Sequence, residues 1–148
     1  MNLIKLALEE AEKDFKKLID VKHINVNLIE ITDDKKNIAK DTDVFLYVNK
    51  KNTEIYVQTD KLYKKIMNIN SYSDKFLFIK KALIHELTHI YEEDVIKKHP
   101  KEIHKINTIL KNSPNGKNLS KKYKERLKSE LLAELIANNH ENLIKKTL

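Results

Sequence analysis

The hydrophobic residues of this 148-residue chain change their spacing twice, and this change limits the folds open to it. Between positions 3 and 19 they recur every three or four residues, which is typical of an amphipathic helix. Between Ile24 and Ile31 they alternate with polar residues, as in a strand with one buried face. From about Thr59 onward the helical spacing returns. The pattern predicts an α+β fold with helices packed against a small sheet.

Two further segments complete the predicted sheet. Residues 44–48 and 53–57 are rich in β-branched and aromatic side chains, and a polar stretch separates them. We expect these segments to pair as a hairpin and to form a three-stranded sheet together with the first strand.

The remaining helices are predicted from apolar spacing and from capping residues. We expect helices at 60–67, from an N-cap at Ser73 to Ile90, between Pro100 and residue 113, and at 120–146. In the helix that ends at Ile90, the apolar stripe should face the core, on the side opposite His85 and His89. The stripe of the last helix is expected to be Leu127, Leu131 and Leu135.

Composition excludes several classes of site. The chain has no cysteine, so thiolate metal sites, disulfides and cysteine nucleophiles are excluded. A single glycine argues against a phosphate-binding loop and against a turn-rich β-barrel. Any metal must therefore be held by histidine and carboxylate side chains.

Length and charge suggest a cytoplasmic protein with one domain over residues 1–148. No segment approaches the roughly 18 apolar residues of a membrane span, and acidic residues interrupt the apolar run at the N-terminus. We therefore expect neither a signal peptide nor a membrane partner.

Lys and Arg exceed Asp and Glu by 29 to 22, a net charge of +7, but they are scattered as Lys-Lys pairs. A nucleic-acid partner is a weaker alternative, and the oligomeric state is not predicted.

The clearest candidate site is the pattern His-Glu-x-x-His formed by His85, Glu86 and His89. On a helix, residues four apart lie one turn above each other and differ by only about 40° in direction. Two imidazoles in this relation can bind one zinc ion from the same side. Glu86 points about 100° around the helix and can reach a water held by that ion. The alternative is a pair of surface histidines on an amphipathic helix.

A catalytic zinc ion usually has three protein ligands and one water, so the pattern needs another donor. The metzincin continuation requires Gly at position 92 and His at position 95, and Glu92 and Val95 exclude it. His99 and His104 could serve in a protein resembling the SprT-type proteases. Both lie in a Lys-rich region around Pro100, which favours a surface position for each.

The last predicted helix offers a better third donor. Glu130 is followed by Ala133 and Glu134, and Glu134 is followed by Ala137 and Asn138. Here the chain resembles the gluzincin metallopeptidases, whose third ligand is a glutamate on a separate downstream helix. In that family a small residue follows the glutamate at +3, and an Asp, Asn or Glu follows it at +4.

This resemblance implies a zincin-like fold and a Zn²⁺ cofactor held by His85, His89 and Glu130. We favour Glu134 as an acceptor for a histidine N–H, and the reverse assignment, with Glu134 as the ligand, stays open. The order of elements also resembles the minimal gluzincins and the ImmA/IrrE-like peptidase domains of phages and mobile elements. The implied activity is that of a zinc metalloendopeptidase, with Glu86 as the general base.

The resemblance also implies a protein or peptide substrate, and one specific regulatory protein is the narrower expectation. We expect strand 53–59 to pair with the extended substrate as an edge strand, and Tyr123 or His140 to stabilise the oxyanion. The alternative is a zinc-binding zincin-fold module, regulatory or binding, without peptidase activity. A third hypothesis is a basic nucleic-acid-associated protein with a structural zinc ion.

Overall fold

The computed structural model describes residues 2–31, 44–112 and 120–147, and in these residues the fold is α+β and mostly helical. The predicted α+β fold class is therefore confirmed. No helix in the described ranges is long and apolar enough to cross a membrane. The elements are α1 (Asn2–Leu18), β1 (Asn27–Ile31), β2 (Leu46–Asn49), β3 (Glu54–Gln58), α2 (Thr59–Ile66), α3 (Tyr72–Ile90), α4 (Glu92–Lys98), α5 (Pro100–Asn112) and α6 (Lys121–Thr147).

The three strands form one mixed sheet in the order β1-β3-β2. β2 and β3 pair antiparallel as the predicted hairpin, and β1 joins the other side of β3 in parallel. β3 carries the buried face of the sheet, where Ile55 and Val57 are inaccessible to solvent. The prediction that strand 53–59 is an edge strand is wrong, because β3 has a neighbour on each side. Within the described chain, β2 and β1 are the edges.

Helix α1 confirms the first amphipathic prediction. Its buried side chains follow the helical spacing, at Ile4, Ala7, Ala11, Phe15 and Leu18. This face packs against α3 and α6, so the N-terminal helix supports both of the helices that carry the candidate site.

The N-cap of helix α3 lies two residues earlier than predicted. Ser71, not Ser73, is the N-cap: it has an extended backbone, and its Oγ accepts a hydrogen bond from the backbone N–H of Asp74 at 3.1 Å. The spacing Ser71-x-x-Asp74 is that of a capping box, in which the cap side chain satisfies the third amide of the helix. Asp74 lies in the first turn, as predicted.

Helix α3 is buried on more sides than its apolar stripe suggests. The expected stripe was Phe76, Ile79, Leu83, Leu87 and Ile90. Its three middle members are buried, and Phe76 and Ile90 are only partly buried. Ile84 and Thr88 are buried as well. α3 contacts α1, α4, α6 and β2. The face that carries the histidines is therefore covered by α6 instead of being open to solvent.

Helix α4 and the burial of His99 were not predicted. The His99 side chain is buried between α4 and α5, and its Nε2 donates a hydrogen bond to the backbone carbonyl of Leu18 at 2.7 Å. The predicted surface position of His99 is thus wrong, because its ring satisfies a carbonyl at the C-terminal end of α1. His104 is exposed on α5, as expected.

The buried face of α6 differs from the predicted leucine stripe. Leu127, Leu131 and Leu135 are only partly buried, whereas Leu132 and Ile136 are almost inaccessible. The reason is that α6 packs against three helices, α1, α3 and α5, and so buries a wide face.

Candidate metal centre

The packing of α3 against α6 brings three predicted side chains together. His85 and His89 lie one turn apart on α3, with their Nε2 atoms 3.2 Å from each other. The Glu130 carboxylate of α6 reaches both, with Oε2 3.2 Å from His85 Nε2 and Oε1 2.9 Å from His89 Nε2. Within the described residues, these three side chains form a group compact enough to hold a metal ion.

The separations between these groups are short enough for all three to reach one metal ion. When one ligand atom is taken from each residue, the three atoms lie within 4.8 Å of one another. The contacts of 2.9 and 3.2 Å from Glu130 involve its two different oxygens. Only the 3.2 Å between the two Nε2 atoms compares directly with the roughly 3.3 Å between neighbouring ligands of a tetrahedral zinc ion. Two imidazoles and one carboxylate are also a donor set that zinc accepts in catalytic sites.

The other ring nitrogens face acceptors, which determines where the ring protons lie. His85 Nδ1 is 3.4 Å from Oε2 of Glu134, one turn beyond Glu130 on α6. His89 Nδ1 is 3.0 Å from the hydroxyl of Ser129. When each Nδ1 donates its proton to these groups, both Nε2 lone pairs point at the Glu130 carboxylate. Three electron-rich atoms then converge, and a proton or a cation between them would relieve their repulsion.

Ser129 connects His89 to a residue that sequence reasoning assigned no role. The Ser129 hydroxyl donates a hydrogen bond of 2.5 Å to Oε1 of Glu92, at the start of α4. Ser129 therefore accepts from His89 and donates to Glu92, so that a carboxylate orients the imidazole through a hydroxyl. Ser129 directly precedes Glu130 in the sequence, and its position next to a candidate ligand was the signal from which its role could have been predicted. The approach of Glu92 depends on the turn between α3 and α4.

Glu86 lies on the inner side of the same helix, beside the donor group. Burial, and then the negative charge of Glu130, raise the pKa of the Glu86 carboxyl to about 8. A positive charge among the donor atoms would act in the opposite direction and favour the ionised carboxylate. Burial likewise lowers the pKa of His89, which favours the neutral ring that a metal ion requires.

The two residues suggested for the oxyanion are not at this centre. His140 is buried ten positions beyond Glu130, with Nδ1 bonded to the Ala137 carbonyl and Nε2 3.7 Å from Asp14 of α1. Tyr123 is exposed and lines neither of the cavities beside Glu86. The expectation for His140 is wrong, because the wide buried face of α6 turns its ring towards α1.

Comparisons with protein-family models, with curated proteins and with solved structures found no match to this chain. The resemblance to gluzincins therefore stays a prediction, based on the His-Glu-x-x-His pattern and the glutamate helix. The structure adds that these two motifs are close in space. His85 and Glu130 are 45 residues apart in sequence, but their side chains are in contact.

Proposed function

We propose that this chain is a zinc metallopeptidase with a zincin-like fold, in which His85, His89 and Glu130 hold Zn²⁺. The observation that carries the proposal is the convergence of two Nε2 atoms and one carboxylate within 3.2 Å of each other. The surroundings of the opposite ring nitrogens support it: His89 Nδ1 is hydrogen-bonded to the Ser129 hydroxyl, and His85 Nδ1 lies 3.4 Å from the Glu134 carboxylate. With the ring protons on these Nδ1 atoms, the Nε2 lone pairs are free for a metal ion.

The number of donors favours a catalytic centre over a structural one. The group found in the described residues has three members, and a structural zinc ion usually has four protein ligands. Bound there, the ion would supply a Lewis acid that lowers the pKa of a water towards about 7 and polarises a carbonyl.

Glu86 is the residue to which we assign proton transfer. It follows His85 directly, and its carboxyl lines both cavities that meet at the candidate centre. In the proposed reaction its carboxylate accepts a proton from the attacking water and returns it to the leaving amide nitrogen.

The substrate would lie along β2. This strand packs against α3, and Leu46, Tyr47 and Val48 line a cavity together with Glu86 and His89. An exposed strand edge offers backbone N–H and C=O groups to an extended peptide. β2 thus takes the role that the sequence suggested for strand 53–59. The proposed substrate class is an extended segment of a protein, consistent with action on one regulatory protein.

The test combines metal content with cleavage of an unstructured protein. We expect about one zinc ion per chain in the wild type, loss of zinc in His85→Ala and Glu130→Ala, and retention in Glu134→Gln. Glu86→Gln should keep the zinc ion and lose cleavage by about 10²–10⁴-fold, the usual contribution of a general base. His104→Ala, an exposed histidine on α5, is the matched control.

The outcomes separate the candidate functions. Zinc lost in Glu134→Gln but kept in Glu130→Ala would exchange the roles of the two glutamates. Normal zinc binding without cleavage of any protein would favour the regulatory or binding module. A wild-type protein that binds no zinc, even when zinc is added, would contradict the metallopeptidase.

A further inference from the structure

Two cavities run along β2 and meet at Glu86. One has a volume of about 580 Å³ and extends from His85 and Glu86 towards α2. The other, of about 640 Å³, extends from Glu86 and His89 towards the start of α6. Leu46 of β2 lines both. An extended peptide along β2 would therefore place side chains in each cavity, with its backbone next to Glu86.

The first cavity is apolar at its base. The rings of Phe45 and Phe78 stack there with their centroids 5.7 Å apart. Ala82 of α3 and Ala137 of α6 line the same cavity, and their small side chains leave its interior open. Apolar cavities with aromatic walls bind large apolar side chains.

Basic side chains surround both cavities. Lys65 and Lys81 line the apolar cavity, and Lys50, Lys122 and Arg126 line the second one. In the part of the chain that the structure describes, the ion pairs of Lys and Arg involve Lys80, Lys98 and Lys105 instead. Among the described residues, the five basic groups that line the cavities make no such pair, which leaves them available to a ligand.

The carboxylates of the same cavities are as numerous as the basic groups. Glu86, Glu92, Glu130 and Glu134 lie at or beside the candidate metal centre, and Glu125, next to Arg126 on α6, is the carboxylate outside it. With Zn²⁺ bound, its two positive charges offset part of the four carboxylates at the centre, and the described cleft then carries a net positive charge. A positive cleft favours a negatively charged ligand.

We propose that the cleft binds an extended acidic segment of a protein that carries one bulky apolar side chain. The apolar side chain enters the Phe45–Phe78 cavity, and acidic residues on either side of it face the five basic groups. The position of the cut at Glu86 rests on the proposed peptidase function, whereas the recognition depends on the cleft with Zn²⁺ bound at the proposed centre.

Binding is measured first, with turnover removed. Zinc-loaded Glu86→Gln protein is titrated into fluorescent peptides by anisotropy, and the wild type is assayed for cleavage of the same peptides. The set has a central Phe flanked by Asp, the same Phe flanked by Gln, and a central Ala flanked by Asp. We expect the Asp-flanked Phe peptide to bind at least about tenfold more tightly than either of the others, and less tightly as salt increases.

Variants assign the preference to the two parts of the cleft. Lys122→Gln combined with Arg126→Gln should weaken binding of the Asp-flanked peptide about tenfold and leave the Gln-flanked peptide unchanged. Its control is Lys121→Gln with Lys145→Gln, exposed on the same helix and outside both cavities. Phe78→Ala should weaken the Phe peptides towards the Ala peptide, with Leu77→Ala as its control. Zinc content and circular dichroism verify that each variant is folded.

Equal affinity for the Asp-flanked and Gln-flanked peptides would overturn the proposal, even if the wild type cuts both. A single-stranded oligonucleotide that displaces the acidic peptide at lower concentration would overturn it in favour of nucleic acid. A clear preference in binding without any cleavage would support the recognition and contradict the peptidase. The two proposals can therefore fail separately.

Discussion

At the scale of single residues, His89 has the most closely defined surroundings in the candidate centre. Its Nε2 faces His85 and Glu130, and its Nδ1 faces Ser129, which in turn donates to Glu92. A histidine that binds a metal ion usually donates its second N–H to a carboxylate or a carbonyl, which orients the ring. Here a serine hydroxyl lies between the ring and the carboxylate.

The Ser129 hydroxyl should therefore contribute to zinc affinity without touching the ion. We expect Ser129→Ala to weaken zinc binding about 10–100-fold, measured by competition with a chromogenic chelator. Ser129→Thr keeps the hydroxyl and should restore most of the affinity. Glu93→Gln, an exposed neighbour of Glu92, is the control. Wild-type affinity in Ser129→Ala would show that the hydroxyl does not orient His89.

Glu12 of α1 is a residue whose charge opposes folding. Partial burial, ahead of repulsion from Glu9, raises its pKa above 4.5, although Lys16 acts in the opposite direction. The folded state thus binds a proton at Glu12 more tightly than the unfolded state does. The stability that protonation of Glu12 contributes is fully present below about pH 4.5, and it is lost as the pH rises through the folded-state pKa of this carboxyl.

Glu12→Gln should accordingly stabilise the protein at pH 7 by about 0.5 kcal/mol, since the site is only partly buried and is screened by solvent. The advantage should disappear below about pH 4.5, where the wild-type carboxyl is protonated in both states. Urea unfolding at several pH values measures the difference in stability between the variant and the wild type. Glu10→Gln, exposed on the same helix, is the control. A constant difference at every pH would contradict a charge effect.

At the scale of elements, His99 joins three helices. It lies between α4 and α5, and its ring satisfies the Leu18 carbonyl at the end of α1. Carbonyls in the last turn of a helix have no partner within the helix, and a buried one without any partner is costly. His99 thus fixes the pair α4–α5 against α1, on which α3 and α6 also pack.

His99→Ala should lower the free energy of unfolding by about 1–3 kcal/mol, because it leaves a buried carbonyl without a donor. Urea denaturation measures this loss, and His104→Ala should have almost no effect. Zinc content should remain that of the wild type in both variants. Loss of zinc in His99→Ala, with the fold intact, would instead support a ligand role like that considered for the SprT-type proteases.

At the scale of the whole molecule, the candidate centre links the two helices at the core of the fold. α3 supplies two of the donors and α6 the third, and both helices pack on α1. A ligand that binds only the folded state stabilises it in proportion to the logarithm of its concentration over Kd.

Zinc should therefore raise the thermal stability of the whole chain. At a free concentration of 1,000 times Kd the gain is about 4 kcal/mol. Thermal unfolding with added zinc and with a chelator measures the difference, and His85→Ala should abolish it. Zinc that leaves the midpoint of the wild type unchanged would show that no folded-state site binds it with useful affinity.

Several elements could be predicted from local spacing because their stabilisation is local. The alternation in β1, the hairpin of β2 and β3 and the apolar face of α1 all follow from which side chains one element must bury. The cap of α3 was misplaced because Ser71 and Ser73 both suit an N-cap, and only the hydrogen bond that the Asp74 backbone N–H donates to the Ser71 hydroxyl distinguishes them. The buried face of α6 was misjudged because three neighbouring helices, not one, cover it.

The sequence by itself determined that His85 and His89 can act together, since their spacing aligns them on any helix, and it offered Glu130 and Glu134 as candidates for the third donor. Only the tertiary structure decided that Glu130 approaches both Nε2 atoms, that Glu134 meets the other side of His85, and that β2 lies at an edge among the described strands. These relations join residues far apart in the chain, and they depend on how helices and strands pack. Local spacing carries no information about such packing, because many arrangements bury the same apolar faces equally well.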